Sequence, residues 1–303
     1  MWSIKKSGVR SQKTEWARLI VPFVALAAAC NAGPKEFGLA QLNQALADRN
    51  LEIKIVAELG TDPPETFQIE PSPAGSMVRI TGGDLRGLMY GLIEAAEQIR
   101  ASGKLARTHG SPTIAMRGVR LPQSDSNRFT PGGWREYMQT LALARFNRVT
   151  VVLDHFPEGL EQRSLQSLGQ IASSFGVDFI LGLPVVQAET LSALLAACTL
   201  VRGVEVPRES LPAALRAQRE AGRLVSIDLT ERLPGPSPGI AVRALVSIPI
   251  DIATTAESIR RRLAQVDPTT GFRLEVPSGD DSTATLYRLW GRLAYDLSPP
   301  ARR

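Results

Sequence analysis

The chain has 303 residues, with 35 Lys and Arg against 30 Asp and Glu, and 44% hydrophobic residues. That length suits one large domain or two ordinary ones, and a charged fraction of 21% excludes a disordered or collagen-like chain. The net charge of +5 and pI near 9.5 would suit a nucleic-acid binder, but the charge is in the wrong place. Residues 1–29 hold Lys5, Lys6, Arg10, Lys13 and Arg18 against Glu15, a balance of +4. The remainder is nearly neutral, so no nucleic-acid partner is expected.

The N-terminus reads as an export signal. A basic stretch precedes the apolar run 19–29, and small residues lead into Cys30-Asn-Ala-Gly-Pro34, the layout of a signal peptide. The run is too short to span a bilayer comfortably, which takes about 20 apolar residues. Ala29-Cys30 is similar to a bacterial lipoprotein cleavage site, in which Cys30 would be lipidated, although Leu26 stands four residues before the cysteine rather than three. The expectation is an exported chain: periplasmic, secreted, or membrane-anchored through Cys30. A single acyl chain anchors only marginally.

Residues 35–110 predict a small α/β domain. Leu39–Arg49 has helical periodicity, and Leu51–Val56 alternates as a strand does. Thr66–Glu70 and Met77–Thr81 read as two further strands, joined by the turn-rich Pro71-Ser-Pro-Ala-Gly75. Asp84 is placed to cap a helix running to about Ala101, with apolar residues at 85, 88, 89, 92, 93, 96 and 99. Gly87 and Gly91 on that helix suit close packing. The Gly82–Gly87 segment matches neither phosphate-loop spacing.

Residues 111–303 read as repeated β/α units. Strands are expected at 114–121, 148–154, 177–183, 201–206, 223–229, 241–248 and 271–277. Helices are expected at 132–145, 163–175, 189–199, 208–221 and 254–266. This alternation means a parallel sheet and a (β/α) barrel. About 190 residues is short against the ~250 typical of such barrels. Either an eighth strand is disguised within 233–239 or the barrel is incomplete. The predicted fold is therefore a small α/β sandwich domain followed by a shortened or incomplete (β/α)8 barrel.

Chemistry in such barrels gathers at the C-terminal ends of the strands. There the sequence places Asp125 and Asn127, then Asp154, His155 and Glu158, then Glu205, Asp228, Glu231, Asp251, Glu275, Asp280 and Asp281. Glycosidic cleavage uses two carboxyls about 5–9.5 Å apart. Glu205 and Asp228 end neighbouring strands and are the candidate catalytic pair. Asp154, His155 and Glu275 are candidate substrate-binding residues. Cys198 lies in an apolar helical stretch and reads as a buried small hydrophobe. His109 and His155 show no ligand spacing, and nothing points to a metal or organic cofactor. Trp134 and Trp290 fall at helical spacing and read as core.

Several segments carry a family resemblance: Glu65–Glu70, Val78–Leu92, Ala95–Ile99, Ile114–Arg120, Trp134–Met138, Leu141–Asn147 and Val149–Asp154. Together they resemble the N-terminal α/β domain and first barrel units of glycoside hydrolases, namely the family 20 β-hexosaminidases and the α-glucuronidases of families 67 and 115. The resemblance implies hydrolysis of O-glycosyl bonds in a carbohydrate ligand, and a sugar contact from Arg117. Family 20 enzymes carry an Asp-Glu pair after the fourth strand. This chain has Val204-Glu-Val-Pro-Arg-Glu209 there and no Asp-Glu dipeptide. A catalytically inactive carbohydrate-binding or scaffold relative is thus the alternative. The oligomeric state is not fixed by the sequence.

Overall fold

A computed structural model describes residues 33–123, 130–157, 159–222, 225–230, 242–243, 245–249, 255–276 and 284–298, all within one compact unit. Cys30, Asp125, Asn127, Glu158, Glu231, Asp251, Asp280, Asp281 and the eighth-strand candidate at 233–239 lie outside them.

The first layer is built from α1 (Pro34–Asp48), β1 (Lys54–Leu59), β2 (Phe67–Pro71), β3 (Met77–Gly82), α2 (Leu85–Ser102) and β4 (Thr108–Pro112). Asp84 caps α2 as expected: its Oδ1 accepts from Gly87 N at 2.7 Å and from Glu65 N at 3.0 Å. Gly103, at φ 70°, ends the helix in the left-handed conformation. Helix α2 lies directly on the sheet. A Cβ on Gly87 would overlap the Thr66 carbonyl oxygen, and one on Gly91 would stand 2.9 Å from Ile80 Cγ2. Phe67, Ile69, Val78, Ile80, Leu88 and Leu92 are fully buried between them.

The sheet order is β1-β3-β2-β4-β13, where β13 is Tyr295–Ser298. Only β1 runs parallel to its neighbour. Strand β13 returns from the far end of the described chain and pairs antiparallel with β4, Tyr295 opposite Pro112. Neither β4 nor β13 is marked by the strand alternation read from the sequence.

The second sheet is parallel throughout, with β5 (Arg117–Pro122), β6 (Arg148–Val152), β7 (Asp178–Gly182), β8 (Val201–Val206), β9 (Ser226–Leu229), β10 (Val242–Arg243), β11 (Val246–Pro249) and β12 (Phe272–Glu275). Its order is β10-β9-β8-β7-β6-β5-β12-β11. The intervening helices are α3 (Pro131–Leu143), α4 (Leu160–Ser174), α5 (Ala188–Ala197), α6 (Leu211–Glu220) and α7 (Ala256–Leu263), with α8 (Ala284–Leu293) after β12. All seven expected strand regions contain a strand, the sixth split into β10 and β11. Those two short pieces form the edges of the sheet, so the described residues make a curled, barrel-like sheet rather than a closed eight-stranded barrel.

The curl is visible in the contacts. Strands β8 and β12 are four steps apart, about 19 Å in a flat sheet, yet Arg273 on β12 contacts Glu205 on β8. Alternate residues Val119, Leu121, Val149, Val151, Phe179, Leu181, Val204 and Ile227 are buried on the helix-covered face. Trp134 and Trp290 are also core: the Trp134 indole donates to Leu168 O at 2.9 Å, and Trp290 packs on Phe272. Cys198 is buried, with its Sγ 3.5 Å from Gln162 O.

Candidate functional site

The inner face of the curled sheet is polar. On β5, β6, β8, β9 and β12 the residues alternating with the apolar set include Arg120, Arg148, Thr150, Glu205, Ser226, Asp228, Arg273 and Glu275, with Val152 on β6 and Ile180 on β7 as apolar members of the same face. Barrels of this kind are usually filled by layers of branched aliphatic side chains. Here arginines and carboxylates take that place.

Glu205 stands at the centre. Its carboxylate meets Arg120 Nε at 3.0 Å and the Arg273 guanidinium, with no exposed side-chain surface. Burial raises the Glu205 carboxyl above the ordinary value; Arg273 and Arg120 pull it down, and Asp228 adds to the rise. Glu275, about one-third exposed, meets Arg120 Nη1 at 3.3 Å and Arg273 Nε at 3.2 Å. The same two guanidiniums therefore hold both Glu205 and Glu275. Asp228 sits beside Glu205 in register, but its carboxylate contacts Arg148, which also donates to Ser226 Oγ at 2.9 Å.

Glycine is required at one point of this interior and tolerated at another. A Cβ on Gly118 of β5 would meet Arg273 Cβ at 3.5 Å and Arg148 Cβ at 3.7 Å, which is ordinary contact. A Cβ on Gly203 would overlap Ser226 Oγ.

Arg117 lies elsewhere. It opens β5, at the end opposite the strand-end mouth, and is fully buried against the first sheet. It donates to Arg145 O at 2.8 Å, to Ile114 O at 2.7 Å and to the Glu65 carboxylate. Glu65 also takes Arg86 Nη1 at 2.7 Å and Asn147 Nδ2 at 2.8 Å. Tyr295 closes the cluster, its hydroxyl donating to Glu65 O. Glu65 and Arg145 both have positive φ, 62° and 61°, a conformation non-glycine residues adopt at a cost. Burial raises the Glu65 carboxyl, but Arg117 and Arg86 outweigh it and hold the group below the ordinary carboxylate range. Arg117 thus joins the two sheets.

Asp154 and His155 follow β6 at the surface. His155 Nε2 lies 3.0 and 3.2 Å from the two Glu161 oxygens, and Asp154 N donates to Gln123 Oε1 at 3.1 Å. A cleft of about 280 Å³ opens beside them, lined by Gln123, Leu153, His155, Glu161 and Leu165. Neither residue contacts the Glu205 cluster. Among the described residues no three His, Cys, Asp or Glu side chains gather as a metal site.

Sequence reasoning missed Arg120, Arg148 and Arg273. A signal for them exists: each sits on the face of its strand opposite two apolar residues, where a solvated residue would be expected only in an open sheet.

The fold is similar to that of a solved GH138 enzyme targeting pectin rhamnogalacturonan II, with a TM-score of 0.67 at 13% identity over 89% of this chain and 50% of that one. The chain thus spans about half the length of that structure. No protein-family model matches the sequence, and no curated protein does. The likeness is one of fold alone.

Proposed function

We propose that this is a glycoside hydrolase-like protein acting on an O-glycosyl bond of an extracytoplasmic glycan, with Glu205 and Glu275 as the carboxyl pair. One observation carries the reading: both groups contact the same two guanidiniums at the strand ends. Two carboxylates sharing one guanidinium lie within about 9 Å of each other, below the upper limit of about 9.5 Å for glycosidic cleavage. Glu205, raised by burial, suits the acid. Glu275, the more exposed, suits the base or nucleophile. Asp228, the partner suggested by strand adjacency, is the weaker choice for the base or nucleophile because it is fully buried, whereas Glu275 is about one-third exposed.

A second reading, glycan binding without turnover, is favoured by the full burial of Glu205 with guanidiniums on both its oxygens. The parent protein, Glu275→Gln and Glu205→Gln are to be assayed on aryl glycosides and pectic oligosaccharides, with binding measured in parallel. Turnover lost in Glu275→Gln with binding retained supports hydrolysis. An inactive parent with saturable sugar binding supports the second reading. A parent that neither cleaves nor binds sinks both. Glu275→Gln carries the test if Glu205→Gln fails to fold.

Kinship with families 20, 67 and 115 in particular rests on segments 65–155 alone. Export rests on residues 1–29 and lipidation on Cys30. The mass of the mature protein from a bacterial host tests both: an uncleaved N-terminus rejects export, and cleavage without an acyl adduct on Cys30 rejects anchoring.

A further inference from the structure

Strand β1 is an edge. Among the described residues it pairs only with β3, and its sequence is Lys-Ile-Val-Ala-Glu-Leu. Lys54 N donates to Ser76 O at 3.0 Å and Gly60 N to Gly82 O at 2.9 Å. In a strand the N–H and C=O of one residue point the same way, and successive residues alternate. The even residues 54, 56, 58 and 60 therefore turn their backbone groups to β3. Ile53, Ile55, Ala57 and Leu59 turn theirs outward, where β3 cannot reach them.

The side chains divide in the same way. Ile55, Ala57 and Leu59 stand opposite Val78, Ile80 and Gly82 in register, on the helix-covered face. That cover is incomplete at the edge: Ile55 and Ala57 are half-buried and Leu59 is 55% exposed. Lys54, Val56 and Glu58 occupy the opposite face, with both charged groups exposed. An edge with outward backbone donors and an apolar row is a pairing template, and this one is self-complementary. Two copies running antiparallel about a two-fold axis at Val56 would place Lys54 opposite Glu58 of the other copy, twice. Those pairs fall at the non-hydrogen-bonded positions, where side chains come closest. The same register sets Ile55 opposite Ala57 and exposed Leu59 over half-buried Ile53, while the outward backbone groups of residues 53, 55, 57 and 59 pair in a ladder.

We propose that β1 is the interface of a symmetric homodimer, in which two five-stranded sheets join edge to edge through antiparallel β1 strands in the register centred on Val56. The occupant is a second copy of this chain because the charge order along the strand is complementary to its own reversal. A six-residue edge buries less than a standard permanent interface, so the dimer belongs to the weak, reversible class. This inference does not depend on the carboxyl pair or on any glycan.

Sedimentation of the purified full chain, from low micromolar to about 500 μM, is the test. A reversible monomer–dimer equilibrium is expected. Ala57→Pro removes one outward N–H, which β3 does not use, and should abolish the dimer while leaving the circular dichroism spectrum unchanged. Lys54→Glu and Glu58→Lys each create like-charge pairs and should raise the dissociation constant roughly tenfold. Mixing these two variants should restore parental affinity, because each supplies the charge the other lacks. As both substitutions are at exposed positions, that mixture stays informative if Ala57→Pro misfolds. A monomer throughout the range overturns the proposal, as does a dimer indifferent to Ala57→Pro. Charge variants that weaken the dimer but do not recover on mixing overturn the register.

Discussion

The two sheets solve the problem of filling an interior in opposite ways. Between α2 and the first sheet, Phe67, Ile69, Val78, Ile80 and Leu92 form an apolar layer, each fully buried. Inside the second sheet, Arg120, Arg148 and Arg273 interlock with Glu205, Asp228 and Glu275. An apolar layer tolerates approximate shapes. An ionic interior tolerates only complete sets, because removing one member leaves a desolvated charge behind. The first sheet is therefore robust to substitution, and the second is specific about it.

The sharpest way to break this contrast is inside the second sheet. Asp228→Asn leaves Arg148 without a carboxylate partner and should cost about 3–5 kcal/mol in urea unfolding. The double variant Arg148→Met/Asp228→Leu removes both charges and should recover most of that loss. A cheap single substitution would mean that water reaches the pair. At the junction between the sheets, Asp84→Ala removes the acceptor for both Gly87 N and Glu65 N and should cost about 1–2 kcal/mol. In the first sheet Ile80→Val should cost only about 0.5–1.5 kcal/mol, measured on the same denaturant scale.

Acidity separates the regions with the smallest but most selective effect. The Glu65 carboxyl, held low by Arg117 and Arg86, binds its proton more weakly in the folded chain than at its reference value of 4.5. Its stabilisation is present above that value and is lost as pH falls through the folded pKa. Glu205 is raised, so its proton is held more tightly when folded, and its contribution declines as pH rises from 4.5 through the folded pKa. Chemical denaturation across pH should show Glu65→Gln flattening the acid limb and Glu205→Gln flattening the opposite one. Identical profiles for the two variants would erase the distinction.

Much of the architecture was legible because each element carried its own period. The strands from β5 to β12 lie within a few residues of the alternating apolar segments, and α2 begins at the capping aspartate that announces it. What escaped were features that depend on partners distant in sequence. Thr108–Pro112 has no alternation and becomes a strand only by pairing with β2 and β13. Arg117 matched a family position, yet its partner Glu65 lies in the turn leading into β2 of the other sheet, so residue type alone could not separate a sugar contact from a buried tie. Glu205 stood out as a strand-end acid. The guanidiniums that hold it come from β5 and β12, which only the curl of the sheet brings near β8.

The return of β13 sets an order of events during synthesis. Strands β1 to β4 leave the ribosome early, but the outer edge of β4 stays bare until the whole second sheet has been made. Only then does Tyr295 arrive, stacking on Phe67 and reaching the Glu65 carbonyl oxygen. The first sheet thus waits for a strand made after the second sheet, and a chain released before residue 295 keeps an unclosed edge that chaperones and proteases can recognise. Closure of the first sheet reports that the second has been made.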